Sequence, residues 1–205
     1  MPVGLSFYIV QVISYLVDVR KGLLKPVTNL ANFALYMAYF PRLLAGPIER
    51  ARDFMGQLES PRSIDHHQIA NSLMLMMVGL VRKIALADSM FLFLPEDIFS
   101  DPGKYTSPQL VLWLLVYAFA LYNDFAGYTS IARGVSGLFG LRLSRNFSTP
   151  YFSESFTQFW LRWHATLSSW MRNYIFMPIT RKLLRRKGHS STVILSILPT
   201  VTTMI

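Results

Sequence analysis

Apolar residues in this chain fall into long runs separated by short polar stretches. Leu5–Val19 is the first run. Leu30–Ala45 is the second, and it leads into Gly46-Pro47, where a helix cannot continue smoothly. It reads as a partly inserted or re-entrant segment. Glu49 to Gln68 is polar and basic, a surface connection with room for a short helix. Ile69–Leu94 is the longest helical candidate, interrupted by Arg82-Lys83. Those charges must face protein or water, or snorkel to an interface. Pro95 to Pro108 sets Glu96, Asp97 and Asp101 against Lys104 and has no arginine, which fits a non-cytoplasmic loop. Leu110–Asn123 follows, then a polar break at Asn123-Asp124, then Phe125–Leu141. Gly134 and Gly137 lie about one turn apart, a spacing that permits close helix contact.

Asn146 to Ser155 is a loop, with Ser155 or Thr157 placed to cap the next helix. That helix, Phe156 to Phe176, sets Trp160, Trp163, Leu167, Trp170 and Tyr174 at helical spacing. Gln158, Arg162, Ser169 and Asn173 fall on the other side. Such a pattern suits a helix at an interface or lining a polar cavity. Pro178 is expected to end it, and Val193–Ile205 to start another apolar helix.

Composition names the solvent. Of 205 residues, 52% are hydrophobic and only 15% are charged, against roughly a quarter charged in soluble domains. The expected class is therefore an all-α, polytopic membrane protein, with residues 1–205 forming one membrane domain. The N-terminus lacks a basic region and cleavage site. Both ends run in apolar sequence, so both read as cut from a longer protein. The net charge of +9 comes from basic residues at the edges of apolar runs, such as Arg20-Lys21 and the 181–187 cluster. That placement fits anionic lipid headgroups on the cytoplasmic side rather than nucleic acid.

Chemistry has few candidates. Cysteine is absent, which removes thiolate nucleophiles and zinc–sulfur sites. Of four histidines, His66 and His67 sit in a polar connection with no clustered ligand, so no metal is expected. His164 lies on the border of the aromatic and polar faces, and a neutral imidazole there can act as a general base on a hydroxyl. Its alternative is a hydrogen bond to a neighbouring helix. Ser168, four residues on, suggests a Ser–His pair, but no G-x-S-x-G elbow surrounds it. Asp124 can orient a histidine or cap the helix from Phe125. Arg162 and Arg172 can hold an anion or snorkel to headgroups. Asp18 and Asp88 end apolar runs and read as interfacial.

Four segments together resemble the membrane-bound O-acyltransferases, in the bacterial branch that modifies envelope polymers. They are Pro2-Val3-Gly4-Leu5-Ser6-Phe7 with Tyr15-Leu16-Val17-Asp18-Val19; Phe40-Pro41-Arg42-Leu43-Leu44-Ala45-Gly46-Pro47-Ile48; Tyr122-Asn123-Asp124-Phe125-Ala126-Gly127-Tyr128; and Phe159-Trp160-Leu161-Arg162-Trp163-His164 with Leu167-Ser168-Ser169-Trp170. The last block is the most specific. Leu161 departs from the family's arginine, Asn173 from a frequent aspartate, and Pro178-Ile179-Thr180 from Pro-Leu-Gly-Gly.

The resemblance implies an inner-membrane, multi-pass enzyme. It would move an acyl group, acetyl in the leading reading, from a thioester such as acetyl-CoA or an acyl carrier to a polysaccharide hydroxyl. No tightly bound cofactor is implied, and accessory envelope acetylation proteins are. In the family, a histidine or asparagine matters in the Trp-rich block, and His164 matches it. A second histidine, commonly assigned as the base, is expected shortly after Ile205. His189, in a basic Gly/Ser-flanked loop, does not match it. Trp160, Arg162, Trp163 and Asp124 are supporting candidates, with Arg162 or the Trp163 N–H as donors to a developing oxyanion. The rival readings are D-alanyl transfer to a teichoic-acid-like polymer, a non-catalytic membrane scaffold, and a transporter using Asp124 and His164 as a proton relay.

Overall fold

A computed structural model describes residues 4–187. Every regular element among them is helical. The chain packs as two units: residues 63–142, and the described residues on either side of them.

In the 63–142 unit, α4 runs His66–Phe93 and α5 runs Ser107–Leu138. At about 1.5 Å per residue each is about 40 Å long or more, enough to cross a bilayer. They are also apolar enough to do so, and are the two such helices found among the described residues. Leu73, Met74, Met77, Leu92, Leu112, Leu114 and Leu115 point outward, as lipid-facing side chains do. The Asp65 carboxylate caps α4 by accepting from the Gln68 N–H at 2.7 Å, so His66 and His67 lie in its first turn, not in a connection.

Small residues bring α4 and α5 together antiparallel. A Cβ built on Gly127 would stand 2.8 Å from the Gly79 carbonyl oxygen, and one on Gly134 would stand 2.6 Å from the Ser72 carbonyl oxygen. The expected close contact at Gly134 and Gly137 is therefore present, and it extends to Gly127 and Gly79. The expected break at Asn123-Asp124 is not: α5 passes through both residues. Asp124 is no cap, and its carboxylate pairs with Lys83 Nζ at 2.7 Å. Lys83 lies in a π-helical stretch of α4, Val81–Asp88, and also pairs with Asp88 at 2.6 Å. The interrupting charges thus face protein, as they must in an apolar segment. The Arg82 guanidinium lies 5.7 Å from the Tyr122 ring, a cation–π contact across the helix pair.

The other unit contains α1 (Leu5–Arg20), α2 (Leu30–Ala38) and α3 (Ala51–Glu59), then α6 (Phe156–Arg162), α7 (Ala165–Trp170) and α8 (Met177–Lys187). Leu30–Ala45 is shorter as a helix than expected, because α2 stops at Ala38 and a 3₁₀ turn follows at Phe40–Arg42. Asn29 caps α2 through the Ala31 and Asn32 N–H groups. Gln11, Ser14 and Asp18 form a buried polar row on α1. Asp18 is therefore not interfacial: it accepts from the Tyr174 hydroxyl at 2.7 Å.

Two further expectations fail here. Pro178 does not end its helix; a π-helical stretch, Met171–Phe176, connects α7 to α8 and changes the hydrogen-bond register before the proline. The single aromatic helix from Phe156 to Phe176 is broken at Trp163 and His164. Val193–Ile205 and His189 lie outside the described residues.

The α4–α5 contact gives a direct test. Gly127→Leu overpacks a backbone approach and is expected to destabilise by about 1–3 kcal/mol. Thermal unfolding of the detergent-solubilised protein should show a lowered Tm, with Gly103→Ala, in an open loop, as the unchanged control. An unchanged Tm for Gly127→Leu would remove the close-contact account.

Candidate active site

His164 is 7% exposed and has φ 42°, ψ 51°, a left-handed backbone. It stands between the end of α6 and the start of α7. Left-handed geometry costs about 1–2 kcal/mol in an ordinary residue, and histidine is among the types that tolerate it better. A neighbouring extended segment supports the kink on both sides. The Ser148 N–H donates to the Arg162 carbonyl at 3.0 Å, and the Ala165 N–H donates to the Asn146 carbonyl at 2.9 Å. Downstream, the His164 carbonyl accepts from the Ser168 N–H at 3.1 Å and starts α7.

A chain of aromatic rings starts beside the imidazole. Phe147 lies 6.3 Å from it and meets Trp163 edge-on at 5.1 Å. Trp163 stacks on Phe159 at 5.6 Å, and Phe159 meets Trp160 at 5.4 Å. Burial lowers the His164 pKa from 6.5 to about 4. The imidazole is therefore neutral at pH 7.

The other predicted residues have definite partners. Ser168 Oγ donates to the Trp163 carbonyl at 3.3 Å, a bond across the helix break. Arg162 Nη1 donates to the Phe152 carbonyl at 3.0 Å and so ties the Pro150–Phe152 turn to α6. Ser155 caps α6, accepting from the Gln158 N–H at 3.2 Å. Trp160, Arg162, Trp163, His164 and Ser168 thus lie along one bent segment. Asp124 belongs to the other unit, its carboxylate on Lys83. Among the described residues, no three His, Asp or Glu side chains cluster as a metal site.

Sequence reading missed the polar residues beneath the kink. Asn146 is 1% exposed, and its Oδ1 accepts from Thr166 Oγ1 at 2.6 Å. Thr166 Oγ1 in turn accepts from the Ile48 N–H at 3.0 Å. Ile48 belongs to the Gly-Pro-Ile turn. A Cβ at Gly46 would overlap the Arg42 backbone there, so the tight turn requires glycine. The Glu49 carboxylate accepts from the backbone and side chain of Ser144. Burial raises its pKa against those hydrogen bonds. The Tyr36 hydroxyl donates to the Glu49 carbonyl at 3.2 Å. Arg42, 1% exposed, donates to the Tyr36 carbonyl. Its guanidinium lies 4.7 Å from the Tyr36 ring and 4.5 Å from the Phe54 ring. Beside this network is a cavity of about 320 Å³, lined by Glu49, Arg50, Asp53, Ser144, Arg145 and Ser169 among others. Ala165 and Thr166, which directly follow His164, reach its wall.

Known proteins place this arrangement in context. The family model for membrane-bound O-acyltransferases matches residues 9–199. The chain is 38% identical to the probable alginate O-acetylase of Azotobacter vinelandii, over 87% of this chain and 35% of that protein. It is 32% identical to the peptidoglycan O-acetyltransferase of Helicobacter pylori, over 87% of this chain and 39% of that protein. It is 33% identical to the teichoic acid D-alanyltransferase of Streptococcus thermophilus, over 90% and 45%. The chain spans between a third and a half of the length of these relatives. The match covers both the Gly-Pro-Ile turn and the helix break that it supports, and the chain belongs to the membrane-bound O-acyltransferase family.

Proposed function

We propose that this chain is part of an inner-membrane, multi-pass O-acyltransferase whose single membrane domain includes residues 1–205. It transfers an acyl group, acetyl in the leading reading, from a thioester to a hydroxyl of an envelope or exported polysaccharide. The carrying observation is the neutral, buried His164 imidazole at a helix break, within a chain of this family. The relatives named for alginate and peptidoglycan O-acetylation support the acetyl reading. The relative named for D-alanyl transfer supports a second reading with the same chemistry and a different acyl group.

In this mechanism the acceptor hydroxyl oxygen attacks the thioester carbonyl carbon. His164 helps to orient the hydroxyl or to accept its proton as the C–O bond forms, and the second histidine that the resemblance implies completes the site. The tetrahedral intermediate then expels the thiolate, which takes up a proton to leave as thiol. An oxyanion develops on the former carbonyl oxygen and requires preorganised donors. Arg162 and the Trp163 ring N–H are the supporting candidates. The donor is acetyl-CoA or an acyl carrier, and accessory envelope proteins complete the pathway.

The left-handed backbone decides which variant tests this. His164→Ala combines loss of the imidazole with a residue poorly suited to φ 42°. His164→Gly adopts φ 42° without strain and removes the imidazole. In the full-length protein it should lower base-labile acetyl groups on exported polysaccharide by about 10²-fold or more, the usual scale for a lost general base. Membrane insertion, read by immunoblot, should be normal. Undiminished acetylation would sink the role.

The depressed His164 pKa also predicts a pH dependence. The unfolded histidine takes a proton near pH 6.5, whereas the folded one does so near pH 4. The native state therefore binds fewer protons in that window, and its stability must fall as pH falls through it. Melting in detergent between pH 7.5 and 4.5 should show the wild type losing Tm relative to His164→Gly. Parallel curves would contradict the burial of a neutral imidazole.

A further inference from the structure

Three backbone segments meet immediately behind His164: the Gly-Pro-Ile turn, the extended stretch at 144–148, and the start of α7. Asn146 joins all three. Its carbonyl accepts from the Ala165 N–H at 2.9 Å, and its side-chain oxygen accepts from Thr166 Oγ1 at 2.6 Å. It therefore contacts the two residues that follow His164. Thr166 Oγ1 accepts from the Ile48 N–H and donates its single proton to Asn146 Oδ1. The Asn146 Nδ2 group is buried with no hydrogen-bond partner.

We propose that Asn146 is a positioning residue for His164, acting through the Ile48–Thr166–Asn146 line of hydrogen bonds. The line holds the first turn of α7 at a set angle to the extended segment, so the left-handed residue between α6 and α7 has one orientation. Loss of the line lets α7 rotate away from Asn146, and the imidazole moves with it. The inference rests on the reading of His164 given above. It assigns no contact with substrate to Asn146.

The experiment uses the full-length protein in its own membrane. Thr166→Val keeps the shape and deletes the hydroxyl, Thr166→Ser keeps the hydroxyl, and Asn146→Ala removes the far partner while leaving its backbone carbonyl. Two readouts are taken. The first is base-labile acetyl incorporation into exported polysaccharide per inserted molecule. The second is modification of His164 by diethyl pyrocarbonate, quantified by mass spectrometry, which needs no activity. Thr166→Val and Asn146→Ala should each lower incorporation about tenfold to a hundredfold, the scale of a misplacement near 1 Å. Each should also speed His164 modification several-fold, and the double variant should be no worse than either single. Thr166→Ser should resemble wild type in both readouts. Normal incorporation in Thr166→Val would overturn the proposal, and so would lost incorporation with unchanged His164 modification, which marks a merely structural role. If His164→Gly is fully active, the proposed chemistry fails instead, while the modification readout still decides whether Asn146 positions the ring.

Discussion

A left-handed backbone at one non-glycine residue organises the smaller helices of this protein. Such a residue costs about 1–2 kcal/mol unless its surroundings hold it. Here Asn146 and Ser148 supply backbone hydrogen bonds on both sides, and Thr166 extends the support to Ile48. The kink turns the aromatic segment into two short helices and exposes neither end of His164 to water. Without it, Trp160, Trp163 and Trp170 would form a single stripe, and His164 would stand on its border.

The supporting network is polar but enclosed. Arg42, Glu49 and Asn146 are all buried, and each contributes to the same group of turns. Buried charges and amides are tolerated where partners compensate them. The Arg42 guanidinium has aromatic faces at 4.5 and 4.7 Å and a carbonyl acceptor. Glu49 has the backbone and hydroxyl of Ser144. The Gly-Pro-Ile turn therefore acts as the base on which the histidine kink rests.

Helix pairing in the other unit follows a different rule. Lipid is as apolar as the side chains, so association depends on close backbone approach and on satisfying polar groups. Gly79 against Gly127 provides the approach. Lys83 with Asp124 and Asp88 provides the pairing. The same residues that interrupt the apolar pattern are those that the two helices share.

Much of this was legible from residue pattern. The apolar runs gave the long helices of residues 66–93 and 107–138, Ser155 gave a cap, and Gly134 with Gly137 gave a contact face, because each depends on local spacing. Residue pattern singled out His164 on the border of the aromatic and polar faces, the resemblance gave it an acyl-transfer context, and neither could supply its surroundings. Periodicity passed through Trp163 and His164 without a break, since no glycine or proline marks one. It placed a break at Asn123-Asp124, where a cross-helix lysine instead keeps the helix whole. Asp18 looked interfacial until Tyr174 was found on it, 156 residues away. By itself the sequence determined which segments are apolar and where the two long helices run, because both depend on local composition and spacing. Only the tertiary structure decided the kink, the burial of Arg42 and Asn146, and the partners of Lys83, Asp124 and Asp18, because those depend on contacts between segments distant in the chain.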